Sequence, residues 1–302
     1  MFSNSSIDRN SLIRTRSSDV SKALKSSDSR LLIWFEGELI KPNDDSLYFL
    51  FADIEVIKLE FSIPVYLGRH EELDYFTCRL EQWHEFFNDL ELIGLRAASL
   101  KFESFHVGLL YYSQGMLNWH QYHSFCSSCG SSTRQSHSGH ERKCNNPDCN
   151  RSHYPKIDPA VIFSVINNTG PESKILLARQ ASWDKNRHAV IAGYVEPGET
   201  LEETVKREAF EETGLKVSHI KYFASQPWPF PGQIMLGFSC ESTQWEIKLM
   251  DNELESAEWF SADEIESKIA LEELKMPFQA SISWSLINEW FIGQKGYDLN
   301  RE

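Results

Sequence analysis

At 302 residues the chain has room for two modest domains or one large one, and with 41% apolar and 25% charged residues it reads as globular rather than disordered. Its longest apolar stretches, 105–112 and 160–166, fall well short of the ~20 residues of a membrane-crossing helix, so no membrane association is expected. A formal charge of −14 argues against a general binder of phosphate backbones, which needs a basic face, but not against a phosphorylated substrate carried by divalent cations.

Residues 1–29 are rich in Ser with scattered Arg and Lys, and Asp8, Asp19 and Asp28 interrupt them. No continuous apolar core follows the start, so they read as a flexible N-terminal extension rather than a secretory signal, with a mitochondrial presequence as the other reading. The C-terminal Leu299-Asn300-Arg301-Glu302 does not match a peroxisomal address of the Ser-Lys-Leu kind. Cytoplasm is the default compartment, with mitochondrial and peroxisomal locations left open. From 30 to 79, apolar runs at 31–35, 47–51 and 63–67 alternate with turn-like breaks, the pattern of a small β-rich domain. Residues 83–95 and 105–122 show helical spacing and supply the connecting helices of a domain spanning 30–123.

Residues 124–154 break the pattern and hold four of the six cysteines. Cys126-Ser-Ser-Cys129 and Cys144-Asn-Asn-Pro-Asp-Cys149 are fourteen residues apart. Two close pairs on short turns can converge four thiolates on a tetrahedron, the arrangement that holds one structural Zn²⁺. Two disulfides suit a secreted chain and redox pairs are a third reading; without an export signal, the ribbon-like frame favours zinc. His123, His137, His140 and His153 flank this segment and are left out of the ligand set. Cys78 and Cys240 stand alone and are expected to be buried.

The remainder, 155–302, has a denser texture. Strands are expected over 160–166, 174–178, 189–193, 217–224, 234–240 and 245–249, with helices over 200–213, 261–269 and 280–292. Gly214 closes the first helix, and Ile282, Leu286 and Trp290 share one stripe of the last. On the helix over 200–213, each residue turns by roughly 100°, so Glu208, Glu211 and Glu212 share one face. The plainer reading is a solvated acidic face. Three adjacent carboxylates nevertheless need a cation, and no Lys cluster lies at matching spacing; Mg²⁺ or Mn²⁺, hard cations that prefer carboxylate oxygens, would serve. Gly193, Pro197 and Gly198 permit the tight loop before the helix, and Arg207 is placed to hold Glu199.

Gly193, five residues, Glu199, seven residues, then Arg207-Glu208-Ala-Phe-Glu211-Glu212-Thr-Gly214-Leu215 resembles the Nudix box at every defined position. The resemblance implies an α+β fold: a Nudix α/β/α sandwich with a mixed sheet, preceded by a β-rich N-terminal domain and a zinc ribbon. It implies hydrolysis of a nucleoside diphosphate linked to another moiety, with two or three Mg²⁺ or Mn²⁺ ions on Glu208, Glu211 and Glu212. One of these or a neighbour orients the attacking water. The backbone carbonyl of Ala192 and the carboxylate of Glu253 are implied as further donors, Glu255 being the competing choice.

Ser225-Gln226-Pro227-Trp228-Pro229-Phe230-Pro231 follows the box. Its alternating prolines are expected to hold an extended, stiff backbone whose rings either stack on a flat base or pack in a core. This run resembles the signature of the NADH pyrophosphatases, a branch whose members carry a zinc ribbon between the N-terminal and Nudix domains. The branch pattern continues x-Ser; this chain has Gly232-Gln233. Tyr154 matches a tyrosine at the nicotinamide end, Tyr194 stands where Phe is usual, and Ser283 replaces a customary Ala. The resemblance implies substrate contacts from these residues and from Gln226 to Gln233, together with a homodimer. The activity implied is cleavage of NADH or NAD to nicotinamide mononucleotide and AMP. The same chemistry on NAD-capped RNA is the alternative, and a non-catalytic zinc-ribbon binding module is the third reading.

Overall fold

The computed structural model describes residues 6–43, 46–55, 57, 60, 62–250 and 253–300. Two compact units divide the chain: one comprises 3–157 with 228–232, the other 158–227 with 233–302. Among the described residues no helix is long and apolar enough to cross a membrane.

In the first unit, helix α1 (Ser17–Leu24) lies within the segment expected as a flexible extension, and the backbones of Asp8 and Arg69 exchange hydrogen bonds of 2.8 and 2.7 Å. Strands β1 (Ser29–Phe35) and β2 (Glu38–Lys41) form a two-residue hairpin whose tip, Glu36-Gly37, has φ of 48° and 89°, as the twist of such hairpins requires. After the short helix α2 (Phe51–Glu55) come β3 (Val65–His70), β4 (Leu73–Arg79) and β5 (Glu91–Gly94), giving the sheet order β3-β4-β1-β2-β5 with β1 and β4 parallel. Helices α3 (Leu95–Lys101) and α4 (Ser104–Tyr122) follow. Strand alternation buries both faces. Leu32, Trp34, Val65, Leu67 and Tyr75 join the apolar stripe of α4, while Leu31, Ile33, Tyr66 and Phe76 pack with Ile54 and the inner side of α1. Strands β6 (Thr133–Ser136), β7 (Glu141–Cys144) and β8 (Ser152–His153) form a small antiparallel sheet around the four cysteines.

The second unit is built on a mixed sheet of β9 (Asp158–Asn167), β10 (Lys174–Arg179), β11 (Ile191–Tyr194), β12 (Ser218–Trp228), β13 (Gln233–Glu241) and β14 (Ser256–Phe260). The order is β12-β13-β9-β10-β14. The central β9 pairs parallel with β13 on one edge; on the other it pairs antiparallel with β10 at its end and β11 at its start. Helix α5 (Leu201–Thr213) follows β11, and α6 (Ala262–Ala270) and α7 (Ile282–Lys295) close the chain. Val161, Phe163, Val165 and Phe238 meet Val205 and Ala209 of α5 on one face. On the other face Gly237 lies so close to α7 that a Cβ there would stand 2.6 Å from Ile282 Cδ1. The two faces are therefore covered by different helices, which makes an α/β/α sandwich.

Several expected elements differ. Residues 83–95 form a 3₁₀ turn (Glu85–Phe87) and the edge strand β5, not a helix. The aromatic spacing that looked helical is used instead in ring contacts, Trp83 against Phe35 at 5.1 Å and against Phe87 at 5.9 Å. Residues 47–51 give only a bridge from Phe49 to Leu31 before α2 begins. Residues 245–249 form no strand; their anchors are Lys248 N to Thr213 O at 2.9 Å and Trp259 Nε1 to Trp245 O at 3.0 Å. The aromatic–proline run is not extended throughout: β12 ends at Trp228, and 229–232 form the turn that reverses the chain into β13.

Candidate active site

Helix α5 starts at a reciprocal cap. Thr200 Oγ1 accepts from Glu203 N at 3.2 Å and the Glu203 carboxylate accepts from Thr200 N at 2.8 Å, an arrangement worth about 1 kcal/mol. The helix ends at Gly214 in the left-handed region, φ 69°. Its start and stop, and hence the phase of its carboxylates, are fixed by local sequence.

Arg207 organises this end of the unit. Its guanidinium has five N–H groups and all five are engaged. Nε donates to Glu199 Oε1 at 2.6 Å; Nη2 donates to Glu199 Oε2 and to the Tyr194 carbonyl, both at 2.9 Å; Nη1 donates to Glu208 Oε1 at 2.8 Å and Glu211 Oε2 at 2.9 Å. The loop carboxylate, the end of β11 and two helix carboxylates are thus tied to one planar group. Glu199 also accepts from Glu196 N at 3.0 Å and Thr204 Oγ1 at 2.9 Å, and its carboxyl is held down at about 2, chiefly by Arg207. The sequence placed Arg207 beside Glu199; its bonds to Glu208 and Glu211 depend on side-chain reach and were not legible there.

The three helix carboxylates differ in setting. Glu212 is 3% exposed, Glu208 is half-buried and Glu211 is exposed. Burial pushes the Glu208 carboxyl up against the pull of Arg207, with Glu211 and Glu253 adding to the rise. Gly193 gives Glu208 its place: a Cβ there would stand 1.9 Å from Glu208 Cδ, so only glycine admits the carboxylate against β11. Ala192 and Glu253 are exposed. All these donors are hard oxygens and fit Mg²⁺ or Mn²⁺ by chemistry. Among the described residues, only the four cysteines bring three or more metal-ligating atoms within 4.8 Å of one another.

The four sulfurs fit zinc. Cys126 and Cys149 lie 3.8 Å apart at Sγ, and Cys129 and Cys144 3.5 Å, near the ~3.8 Å edge of a tetrahedron with ~2.3 Å Zn–S bonds. No disulfide joins them. Hydrogen bonding from Ser131 lowers the Cys129 thiol toward the ligating thiolate, while burial pushes its neighbour Cys144 up. The ring nitrogen Nε2 of His153 lies 3.3 Å from Cys126 Sγ, beside the cluster rather than in it. Cys78 and Cys240 are buried singly.

The residues expected at the substrate are distributed as follows. In the first unit Tyr154 is 59% exposed, and Phe230 packs on the α4 core beneath Arg96, its ring 5.2 Å from the guanidinium. Trp228 meets the Phe230 ring edge-on at 5.1 Å, and Asn118 Nδ2 donates to the carbonyls of Pro229 and Pro231, both at 2.9 Å. In the second unit Gln226 is buried: its Nε2 donates to Ala280 O at 2.7 Å and its Oε1 accepts from Ile282 N at 2.8 Å, so its amide secures the start of α7. Pro227 is exposed and Ser283 is buried, accepting from Val190 N at 3.4 Å. Gln233 Nε2 donates to the hydroxyl of Tyr194. Two of the three departures from the branch pattern, Gln for Ser and Tyr for Phe, are hydrogen-bonded to each other.

Residues 157–280 match the family described as NUDIX domain, and residues 122–154 the one described as NADH pyrophosphatase zinc ribbon domain. The NAD-capped RNA hydrolase NudC of Pseudomonas aeruginosa is 34% identical over 212 residues, covering 68% of this chain and 71% of the relative. This chain belongs to the Nudix family. Human NAD-capped RNA hydrolase NUDT12 is 35% identical over 272 residues, covering 83% of the Nudix chain described here and 58% of the relative. Human NAD(P)H pyrophosphatase NUDT13, mitochondrial, is 37% identical over 214 residues, covering 66% and 58%. The chain thus spans less than two thirds of the length of either human relative. Its Nudix box is the β11–loop–α5 segment clamped by Arg207.

Proposed function

We propose that this Nudix protein hydrolyses the pyrophosphate bond of NADH and NAD, giving the nicotinamide mononucleotide and AMP. The observation that carries the reading is the Arg207 clamp, which sets Glu199, Glu208 and Glu211 in one frame at the end of β11. The relatives named as NAD(P)H pyrophosphatase and NAD-capped RNA hydrolase support the substrate class.

Glu208, Glu211, Glu212, Glu253 and the carbonyl of Ala192 hold two or three Mg²⁺ or Mn²⁺ ions in this proposal, and Glu199 and Arg207 keep the frame. When bound, such cations neutralise the phosphoryl oxygens and make a water available for attack near neutral pH. One of the carboxylates orients that water. The oxygen of this water bonds to one phosphorus as the water gives up a proton to solvent, the bridging P–O bond of that phosphorus breaks, and the bridging oxygen leaves on the other phosphate. Tyr154, Tyr194, Trp228 and Phe230 offer ring faces to the flat groups of the dinucleotide. Gln233 offers an amide, and Pro227, Pro229, Pro231, Gly232 and Ser283 shape the surroundings. One structural Zn²⁺ sits on Cys126, Cys129, Cys144 and Cys149, and the protein acts as a homodimer, with the cytoplasm as default compartment and mitochondrial and peroxisomal locations left open. Removal of the NAD cap from RNA is the second reading, favoured by the names of NUDT12 and NudC.

The test is product identification with NADH, NAD, ADP-ribose and NAD-capped RNA in Mg²⁺ or Mn²⁺, with Glu212→Gln in parallel. AMP and reduced nicotinamide mononucleotide, fastest from NADH and absent in the variant, are the expected products. A clear preference for capped RNA makes the second reading primary, and no cleavage of any substrate defeats both.

A further inference from the structure

The acidic chain hides a cationic groove within the first unit. A cavity of about 810 Å³ lies among α4, β4 and the ribbon strands, lined in part by Arg79, Arg134 and Arg142. None of these guanidiniums pairs with a carboxylate among the described residues. Their partners are neutral: Arg79 donates to Gln121 Oε1 at 2.8 Å, Arg134 to Asn145 Oδ1 at 3.0 Å, and Arg142 to Thr133 Oγ1 at 2.7 Å and Thr133 O at 3.0 Å. Glu81 is the one acid in the lining. Guanidiniums gathered at a cavity without counter-ions favour an anion that can accept two parallel N–H bonds from one planar fork, and phosphate oxygens are common acceptors of this kind.

A second cavity of about 480 Å³ shares Arg79, Glu81 and Gln121 as a common wall and has a different chemistry. Phe35 and Trp83 present rings there, Trp83 being 38% exposed. Gln114 also lines it and donates through Nε2 to Asn118 Oδ1 at 2.8 Å. Asn118, in the same wall, is the residue that holds the Pro229 and Pro231 carbonyls of the aromatic–proline turn. Arginines beside exposed rings, in cavities of nucleotide size, are the two components of a single-strand platform.

We propose that this groove binds the phosphodiester backbone of an RNA strand, with Arg79 and Arg134 on phosphates and Trp83 stacking on a base. The proposal rests on the reading of the protein as a dinucleotide pyrophosphatase only for the capped end of that strand.

The test uses the full chain and a 3′-labelled twelve-nucleotide RNA with a 5′ monophosphate, its binding followed by fluorescence anisotropy across a salt series. The double variant Arg79→Gln/Arg134→Gln is expected to bind roughly tenfold more weakly, with a log–log salt slope reduced by about 1.4 for two lost single-strand phosphate contacts. Trp83→Ala is expected to weaken binding by about tenfold with an unchanged slope. NADH turnover, kcat/KM, should stay within about twofold in both variants. Arg142 is left intact because its bonds to Thr133 support the ribbon. Unchanged RNA affinity and slope in the arginine variant overturn the proposal, as does a parallel loss of RNA affinity and NADH turnover. Competition by AMP or inorganic phosphate as effective as the RNA itself also overturns it, leaving a small-anion site. If the wild type fails to cleave NADH while the arginine variant still loses RNA affinity, the pyrophosphatase reading falls and the groove stands.

Discussion

Gly193→Ala isolates the position of one carboxylate from everything else in the site. The new methyl carbon would lie 1.9 Å from Glu208 Cδ and 2.0 and 2.4 Å from its oxygens, whereas ordinary contact begins at 3.4 Å. The carboxylate must therefore retreat by about 1.5 Å, and the 2.8 Å bond it accepts from Arg207 is lost or bent. The backbone is not strained, because Gly193 does not adopt a positive φ and the atoms in the way are the tip of a flexible side chain. Stability should change by less than about 1 kcal/mol, as for substitutions without a buried cavity or lost cap. Misplacing a reacting group by about 1 Å costs roughly 10²-fold in rate, so kcat on NADH should fall by about that factor. The assay is AMP release at saturating NADH and Mg²⁺, beside a thermal melt, in wild type, Gly193→Ala, Glu208→Gln and the double variant. The two substitutions act through the same carboxylate, so the double variant should lose little beyond Glu208→Gln. A Gly193→Ala enzyme with more than a third of wild-type kcat, or one whose loss follows melting, would show that the position of the Glu208 carboxylate does not set the rate.

Arg207→Lys should reduce kcat by roughly 10²-fold or more with little change in melting, because one ammonium cannot reproduce five directed bonds; steady-state kinetics at constant metal decides it. Burial, aided by Arg142, holds the His120 ring at about 4, and burial holds His140 at about 4. The unfolded rings protonate first, so stability is full above pH 6.5 and falls as pH drops toward 4, by about 2 kcal/mol per ring at pH 5. Urea melts between pH 7.5 and 5 should show the slope in the wild type and about half of it in His120→Gln; a flat wild-type profile counts against it. Metal analysis should find one zinc per chain, and Cys144→Ser, at a position 1% exposed, should lose the metal and melt markedly lower. Tyr194→Phe and Gln233→Ser should each shift KM for NADH yet couple by about 1 kcal/mol in a double-mutant cycle, whereas additive effects would show that the pair does not act together.

Local chemistry was legible in the sequence where it is short-range. The α5 helix reads from Thr200, its carboxylates and Gly214, and α7 from the stripe Ile282, Leu286 and Trp290, all buried as expected. The cysteine spacing gave the four-sulfur cluster. Elements decided by distant partners were not legible. The apolar spacing of 83–95 served ring packing around Phe87 and pairing of β5 with β2. Strand β14 was overlooked because its pairing with β10, not its own composition, makes it a strand. Likewise Gln226 belongs to the motif by sequence, but its two amide bonds to the start of α7 depend on where the chain returns more than fifty residues later.

The five residues 228–232 belong to the compact unit that holds the ribbon, although β12 and β13 on either side belong to the other. Modularity along the sequence is therefore misleading for this protein. A truncation starting at 158 keeps every carboxylate of the box but removes Asn118, Arg96 and the α4 core, the supports of that turn. Such a fragment would retain the carboxylates proposed to hold the metal ions and the mixed sheet while its signature aromatics lost their packing. Its failure on a dinucleotide would report on a missing scaffold, and would say nothing against the chemistry of the box.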